Sequence, residues 1–401
     1  MLPEGWVYTT FEDHIDLLSG YPFKSDEYTV ELEDIKILRG DNIEPGALRW
    51  RDARRWPRAE YDKLKKFQLH TGDFIIAMDR TWVSSGLKVA EVKESDLPCL
   101  LVQRVSRVRA KPSLEQGLLR QYFSSHKFEQ YVKSVQTETA VPHISAAQIK
   151  EFPVLLPPIS EQKKIAQILS TWDNAISATE RLLENSQQRK KGLMQQLLTG
   201  KKRLPGFEGE WQWLRANEVF RTVSKKNNGD HEELLAVTQD QGALPRSLLE
   251  RRVVMPDGST SGYKLVVPGN FIISLRSFQG GLEYSEYRGL VSPAYTVLEP
   301  TREINDAFYK QYYKSYDFIG HLAVAVIGIR DGKQISYSDF SFLKIPYPDI
   351  VEQQAIANVL TTADHEIEAL QKRLDHLKQE KKALMQQLLT GKRRVQVDDA
   401  A

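Results

Sequence analysis

From residue 165 onward the apolar positions advance in alternating steps of four and three, through Ile165, Leu169, Trp172, Ile176, Thr179, Leu183, Ser186, Lys190, Leu193 and Leu197. This is a heptad seam, the stripe that coiled helices bury against each other. The stripe returns with fewer polar interruptions at Ile356, Leu360, Ala363, Ile367, Leu370, Leu374, Leu377, Lys381, Leu384 and Leu388. Pro157 and Pro158 stand ahead of the first stripe, Pro346 and Pro348 ahead of the second, and Gly200 and Gly391 follow them. These are helix start and stop signals in the right places. At 1.5 Å per residue each helix is predicted to run about 60 Å, too long to be buried in one small domain, so each needs a helical partner. Elsewhere the period shortens. Apolar runs at 74–78, 99–105, 271–275 and 295–298 predict strands, and stretches near 114–132 and 304–324 predict helices. The globular parts are therefore expected to be α/β, a mixed α+β build.

The two stripes belong to an internal repeat. KGLMQQLLTGKKR at 191–203 recurs as KALMQQLLTGKRR at 382–394, with 11 of 13 positions identical at an offset of 191. At the same offset and without a gap, 144–203 aligns on 335–394 with 27 identities in 60 positions, among them Glu161 with Glu352, Gln162 with Gln353 and Asp173 with Asp364. Upstream the likeness thins: TGDFIIAMDR at 71–80 resembles PGNFIISLRS at 268–277, LRQYFSS at 119–125 resembles YKQYYKS at 309–315, and EGW at 4–6 is echoed by GEW at 209–211. A repeat this long sets the architecture. The chain divides into a first domain at 1–154, a long helix at 155–200, a second domain at 201–345, a second long helix at 346–391 and a short charged tail at 392–401. The economical partner for each helix is the other copy, in an antiparallel coiled-coil pair about a pseudo-two-fold axis. The alternative is a coiled coil that joins two chains. Trp172 facing Ala363 in the alignment, and Gly192 facing Ala383, give large and small complements that suit pairing within one chain.

Composition adds limits. A chain of 401 residues with 41% hydrophobic and 27% charged residues is an ordinary globular protein of more than one domain. Its 55 Lys plus Arg nearly balance 53 Asp plus Glu, so any nucleic-acid surface must arise from local clustering rather than net charge. The N-terminus has no basic start with an apolar core, and no apolar run is of spanning length, so a cytoplasmic location and no membrane contact are expected. Cys99 is the single cysteine, which excludes an intrachain disulfide and a multi-cysteine zinc site; beside Leu100 and Leu101 it reads as a small buried hydrophobe. The eight histidines show no metal-ligand spacing.

The densest cationic cluster is LRWRDARRWPRAEYDKLKKF at 48–67, where Arg49, Arg51, Arg54, Arg55, Arg58, Lys63, Lys65 and Lys66 lie among Trp50, Trp56, Tyr61 and Phe67, opposed by Asp52, Glu60 and Asp62. Arginine forks suit phosphate contact and bidentate reading of guanine. A solvated charged loop is the plainer alternative. Arg80 joins the first-domain candidates. In the second domain the candidates are Arg246, Arg251, Arg276, Gln279 and Arg288, with Arg252 and Lys264 nearby, set among Gly280, Gly281 and Gly289.

Taken together, the LPEGW-like start, the IS...P.P..EQ..IA..L lead into each helix at 144–169 and 335–360, the QQLLTGK ends and SPAYTVLEP at 292–300 resemble the specificity subunit of type I restriction-modification systems. The resemblance covers nearly the whole chain. It implies two tandem target recognition domains, each reading one half of a bipartite, asymmetric double-stranded DNA target. They would be held apart by two antiparallel helices whose length sets the unread gap. It also implies that the helices, through seam residues such as Ile165, Leu169, Trp172, Ile176, Leu183, Leu193, Leu197, Ile356, Leu360, Ile367, Leu374, Leu377, Leu384 and Leu388, serve the helix pair and the docking of two methyltransferase subunits. Restriction/translocase subunits would join that assembly. S-adenosylmethionine, Mg and ATP are expected on the partners, with no cofactor, metal or catalytic centre on this chain.

Rival enzyme readings find little support. Pro157–Pro158 sits between Leu156 and Ile159, not in an amino-methyltransferase tetrapeptide, and Gly200–Lys201 lacks the rest of a phosphate loop. A magnesium nuclease would have to be built from Asp79, Glu91 and Lys93, three common residues at loose spacing. The serious alternative is an orphan two-domain DNA-binding or coiled-coil scaffolding protein that works without methylation partners.

Overall fold

Both stripes form the long helices that their period predicts. In a computed structural model that describes residues 2–226, 232–249, 260–325 and 335–397, they are Ile159–Leu197 and Ile350–Leu388, each of 39 residues. Among the described residues no helix is long and apolar enough to cross a membrane. The chain forms two compact units whose boundaries fall inside the long helices: Met1–Ala178 with Leu374–Ala401, and Thr179–Arg373.

The first unit is built on a four-stranded antiparallel sheet in the order Val89–Glu91, Phe74–Ala77, Val105–Ala110, Ile15–Ser19. Every residue of Phe74–Ala77 is buried, as a continuous apolar run in a central strand should be. Helices Gln116–Phe123 and His126–Val135 follow the sheet, and Phe11, Phe123, Phe128 and Phe152 meet in the core with ring centroids 4.9–5.7 Å apart. A second, three-stranded sheet sets Cys99–Leu101 parallel to Ile35–Leu38, with Arg55–Trp56 antiparallel on its far side. Val7–Thr10 pairs with Pro153–Leu156 just ahead of the long helix.

The second unit repeats the central scaffold. Glu283–Tyr284, Phe271–Ile273, Thr296–Pro300 and Phe220–Val223 form an antiparallel sheet in the corresponding order. Gln212–Arg215 pairs with Lys344–Tyr347 ahead of the second long helix. What differs is the added layer, which among the described residues holds two ribbons, Leu235–Thr238 with Gly242–Pro245 and Lys264–Val266 with Gly289–Val291.

Local sequence explains where elements stop, and three differ from expectation. The stretches near 114–132 and 304–324 are each two helices, because Ser125 and Ser315 turn their hydroxyls back as caps. Each accepts a hydrogen bond at 3.2 Å, from the N–H of Phe128 and of Phe318 respectively. The run at 99–105 is likewise broken, by a turn at 102–104 between Cys99–Leu101 and Val105–Ala110. The helix-ending glycines do what their positions require. Gly200 (φ 70°) and Gly391 (φ 69°) are left-handed, and a Cβ would stand 3.2 Å from Trp211 at the first and 2.7 Å from Pro3 at the second.

Within each unit, segments of the two long helices run antiparallel, and the residues identical in the repeat are those that join them. In the first unit Lys381 Nζ reaches Asp173 at 2.6 Å, and Arg394 pairs with Glu161, which also accepts from Trp6 Nε1 at 3.2 Å. In the second unit Lys190 pairs with Asp364. Arg203 holds Glu352 through Nε at 2.5 Å and Nη2 at 2.6 Å, and Trp211 Nε1 donates to the same carboxylate at 2.9 Å. Asp173 and Asp364 also each accept a side-chain amide, from Gln121 at 2.8 Å and Gln311 at 2.6 Å. The neighbouring glutamines repeat as well. Gln162 accepts the Glu115 N–H and donates to Pro157 O, and Gln353 does the same with Asn305 and Pro348, all four at 2.9 Å. The seam residues Ile165, Leu169, Leu183, Leu197, Ile356, Leu360, Leu374 and Leu388 are buried. Trp172, Ile176, Leu193, Ile367, Leu377 and Leu384 are half-buried. Lys190 and Lys381 break the apolar stripe because each answers an aspartate of the other helix.

Glu352 is 1% exposed at its side chain, and removing a partner from so buried a charge leaves it uncompensated. Arg203→Met is expected to cost the second unit about 3 kcal/mol in urea unfolding. A loss below about 1 kcal/mol would show that this ion pair does not hold the unit together.

Candidate nucleic-acid interface

The cationic segment of the first unit lies on the three-stranded sheet, and its aromatic residues point into the core. Trp56 is buried, with its ring 4.6 Å from Phe23, while Tyr61 and Phe67 pack on the same cluster. Trp50 donates to Asp96 at 2.7 Å and lies under the Lys36 ammonium. These rings pack the domain, and the cations between them turn outward except Arg55, which is half-buried.

Several of those cations are engaged. Arg55 donates to the carbonyls of Leu32 at 3.0 Å and Asp34 at 2.8 Å, and Arg58 to that of Glu33 at 2.7 Å. Asp34 accepts from Thr29 and from the Arg58 N–H, which hold its carboxyl below the usual range. Arg55 and Arg58 thus fasten the 32–34 segment to the sheet. Arg49 pairs with Glu44 at 3.1 Å, Lys63 with Glu60 at 2.8 Å and Arg51 loosely with Asp52 at 3.7 Å. Arg54, Lys65 and Lys66 are exposed and make no side-chain hydrogen bond or ion pair among the described residues. Arg80 is exposed in the turn after Phe74–Ala77. Lys88 ties that turn to the 40–42 segment: its N–H donates to Thr81 O at 2.7 Å and its ammonium to Gly40 O, while Arg49 donates to the adjacent Asp41 O at 3.4 Å. Burial lowers the Lys88 pKa.

In the second unit Arg276 and Gln279 are exposed around the short helix Ser277–Gly280. Arg288 pairs with Glu232 at 2.8 Å, and Arg246 is half-buried at the start of the turn Arg246–Leu248. Arg251 and Arg252 lie outside the described residues. Two residues not singled out in the sequence organise these surfaces. Lys314 donates to Gln239 O at 3.0 Å, Gly280 O at 3.0 Å and Glu283 Oε1 at 2.6 Å, tying the hairpin turn after Leu235–Thr238 to the Arg276–Gln279 loop. Burial raises the Glu283 carboxyl, and Lys314 works against that rise. The other is Arg104, 3.4 Å from Asp79.

The residues of the nuclease rival do not converge. Glu91 is held bidentately by Arg120 at 2.7 Å for both bonds, and among the described residues no cluster of His, Cys, Asp or Glu is arranged to bind a metal. Cys99 is buried, and desolvation pushes its thiol up to about 12.

A doubled α/β scaffold with antiparallel helical segments and divergent outer layers defines an internally duplicated protein of two related units. Residues 3–185 and 218–379 match the type I restriction modification DNA specificity domain, and the chain belongs to that family, that of the specificity subunits of type I restriction-modification systems. Among similar proteins, one from Methanocaldococcus jannaschii, provisionally named type I restriction enzyme MjaX specificity subunit, is 27% identical over 315 residues, 74% of this chain and 71% of that one. The type I restriction enzyme EcoAI specificity subunit of Escherichia coli is 33% identical over 184 residues, 45% of this chain and 30% of its own length. The S subunit of a type I restriction-modification system from M. genitalium has a similar fold, with a TM-score of 0.58 at 15% identity over 96% of each chain. A chain from a structural study of complex assembly and conformational transition of the type I R-M system also scores 0.58, at 17% identity over 98% of this chain and 99% of that one.

Arg54 and Arg55 are adjacent, yet their surroundings separate them. Arg54→Glu is expected to weaken DNA binding and lower the slope of log K against log salt by about 1 for each phosphate no longer neutralised, with Tm unchanged. Arg55→Glu strips bonds from two carbonyls and is expected to cost about 1–2 kcal/mol of stability in thermal unfolding. Equal effects of the two on Tm would contradict the assignment of Arg55 to the fold.

Proposed function

We propose that this chain supplies the address of a type I restriction-modification complex, each recognition domain reading one half of a bipartite, asymmetric DNA target. The observation that carries this reading is the contrast between what the repeat keeps and what it changes. The Glu–Arg–Trp and Asp–Lys–Gln bonding sets and the four-stranded sheet occur twice, whereas among the described residues the outer layers differ: a three-stranded sheet with two short ribbons, Ile43–Glu44 with Ala47–Leu48 and Trp82–Val83 with Gly86–Leu87, in one unit, and two longer ribbons in the other. A repeated scaffold with divergent outer layers suits a common assembly carrying two different readers. Selection for two identical readers would keep the layers alike.

The long helices set the unread gap between the half-sites, and with the repeated lead-in segments they dock two methyltransferase subunits. At about 34 Å per turn of B-DNA, a 39-residue helix of about 60 Å is commensurate with separate half-sites on one duplex. S-adenosylmethionine, Mg and ATP belong to the methyltransferase and restriction/translocase partners, and this chain supplies recognition without chemistry.

Two measurements test the proposal. Expressed with its genomic neighbours, the chain is expected to co-purify with a methyltransferase. Mapping methylated adenines in the source genome is expected to give an asymmetric bipartite site. A chain that purifies alone while still binding DNA would favour an orphan DNA-binding or scaffolding protein. Removing matched turns from both helices is expected to shorten the gap and leave both half-site sequences as they were. Altered half-sites would refute the spacer role.

A further inference from the structure

Among the described residues three non-glycine positions have left-handed backbone: Asp52 (φ 59°), Arg80 (φ 48°) and Arg104 (φ 66°). Aspartate visits this region readily, because its short polar side chain bonds locally, but a long side chain rarely does. The two arginines are neighbours. Met78 N–H donates to Arg104 O at 2.9 Å, and Arg104 Nη1 lies 3.4 Å from Asp79, the residue before Arg80.

Neither backbone is free to relax. Arg104 is the third residue of a turn closed by Val105 N–H to Val102 O at 3.2 Å, the position where a left-handed turn residue is ordinarily glycine. Arg80 N–H donates to Pro142 O at 2.6 Å, and the buried Thr81 hydroxyl donates to Ala77 O at 2.6 Å. Strain of this kind persists where the surroundings impose it, and two arginines in place of glycine point to a task for the side chains. That task is not internal. The Arg80 guanidinium has no hydrogen bond or ion pair among the described residues, and the Arg104 side chain is 69% exposed with one long contact to Asp79. In the second unit the turn after the corresponding strand, Phe271–Ile273, also carries an exposed arginine, Arg276, with Gln279 beside it.

We propose that Arg80 and Arg104, at one end of the four-stranded sheet, form a DNA contact of the first unit. Their planar forks would engage either a phosphodiester or the O6/N7 edge of a guanine. This rests on the reading of the chain as a DNA-recognition subunit.

The test uses the assembled complex on a duplex carrying its mapped methylation site and on an unrelated duplex of equal length. Arg80→Gly and Arg104→Gly suit the backbone, so Tm is expected to hold or rise while Kd for the target rises about tenfold. Arg104→Asn, which also tolerates the left-handed region, is expected to repeat the result without the added freedom of glycine. Weaker binding to both duplexes, with a salt slope lower by about 1, identifies a phosphate contact. Weaker binding to the target alone, with relaxed preference at one base pair, identifies a guanine contact. Either outcome supports the proposal. If the wild-type complex prefers its target and the variants bind equally well, whether or not Tm falls, this inference is overturned and the subunit reading stands. If the wild-type complex shows no preference, both fall.

Discussion

In each unit a buried glutamate at the start of one long helix is neutralised by an arginine that follows the end of the other: Glu161 by Arg394, and Glu352 by Arg203. Such a charge is tolerable only when its partner and further donors are in place, so the pairing makes demands on everything around it. It brings a tryptophan, Trp6 or Trp211, to the same carboxylate. The glycine that ends each helix then packs against that corner, where a Cβ would be tight against Trp211 at Gly200 and would overlap Pro3 at Gly391. It also fixes the antiparallel sense of the helical segments, which the Asp173–Lys381 and Asp364–Lys190 pairs repeat further along. The seam of leucines and isoleucines supplies the apolar area, but a heptad stripe alone does not specify direction or partner.

These buried polar groups account for the pattern of identity in the repeat. Glu161, Gln162, Asp173, Lys190, Gly200 and Arg203 recur as Glu352, Gln353, Asp364, Lys381, Gly391 and Arg394. Every one of them closes a unit. The outer layers have no such obligations beyond their own cores, and there the two halves have gone separate ways. The same carbonyl shows how loosely the details are held: Tyr122 donates to Leu155 O at 2.6 Å in one unit, and Tyr309, from a different position on its helix, donates to the corresponding Pro346 O at 2.8 Å in the other.

The long helices were legible because steps of three and four sustained over ten positions match a helix seam and little else, and the duplication because many identities hold one offset. The sheets were legible only as fragments. Phe74–Ala77 announced itself as an unbroken apolar run, but the order of strands depends on pairings between residues far apart in sequence, which leave no local mark. The breaks at Ser125 and Ser315 were hidden because serine is a helix cap only when the chain presents it as one. At the surface the difficulty was different. Arginines alternating with Trp50, Trp56, Tyr61 and Phe67 look alike whether the rings stack on bases or fill a core, and here they fill a core. Arg55 and Arg58 were indistinguishable from Arg54 until their carbonyl partners were located. Lys314 and Arg104 gave no signal as isolated cations; what sets them apart is a loop-to-loop clamp in one case and a left-handed backbone in the other.

The discontinuity of the first unit bears on the order in which the protein matures on the ribosome. Thr179–Arg373 is one uninterrupted stretch, so the second unit has all its parts once that stretch has emerged. The first unit begins to emerge earlier, yet Leu384, Met385, Leu388 and Val395 pack into its core, and Glu161 waits for an arginine 233 residues downstream. Until then it lacks the apolar residues that complete its core and the arginine that answers Glu161, the kind of open face that invites chaperones or premature association. The half that is translated first is thus the half that is finished last.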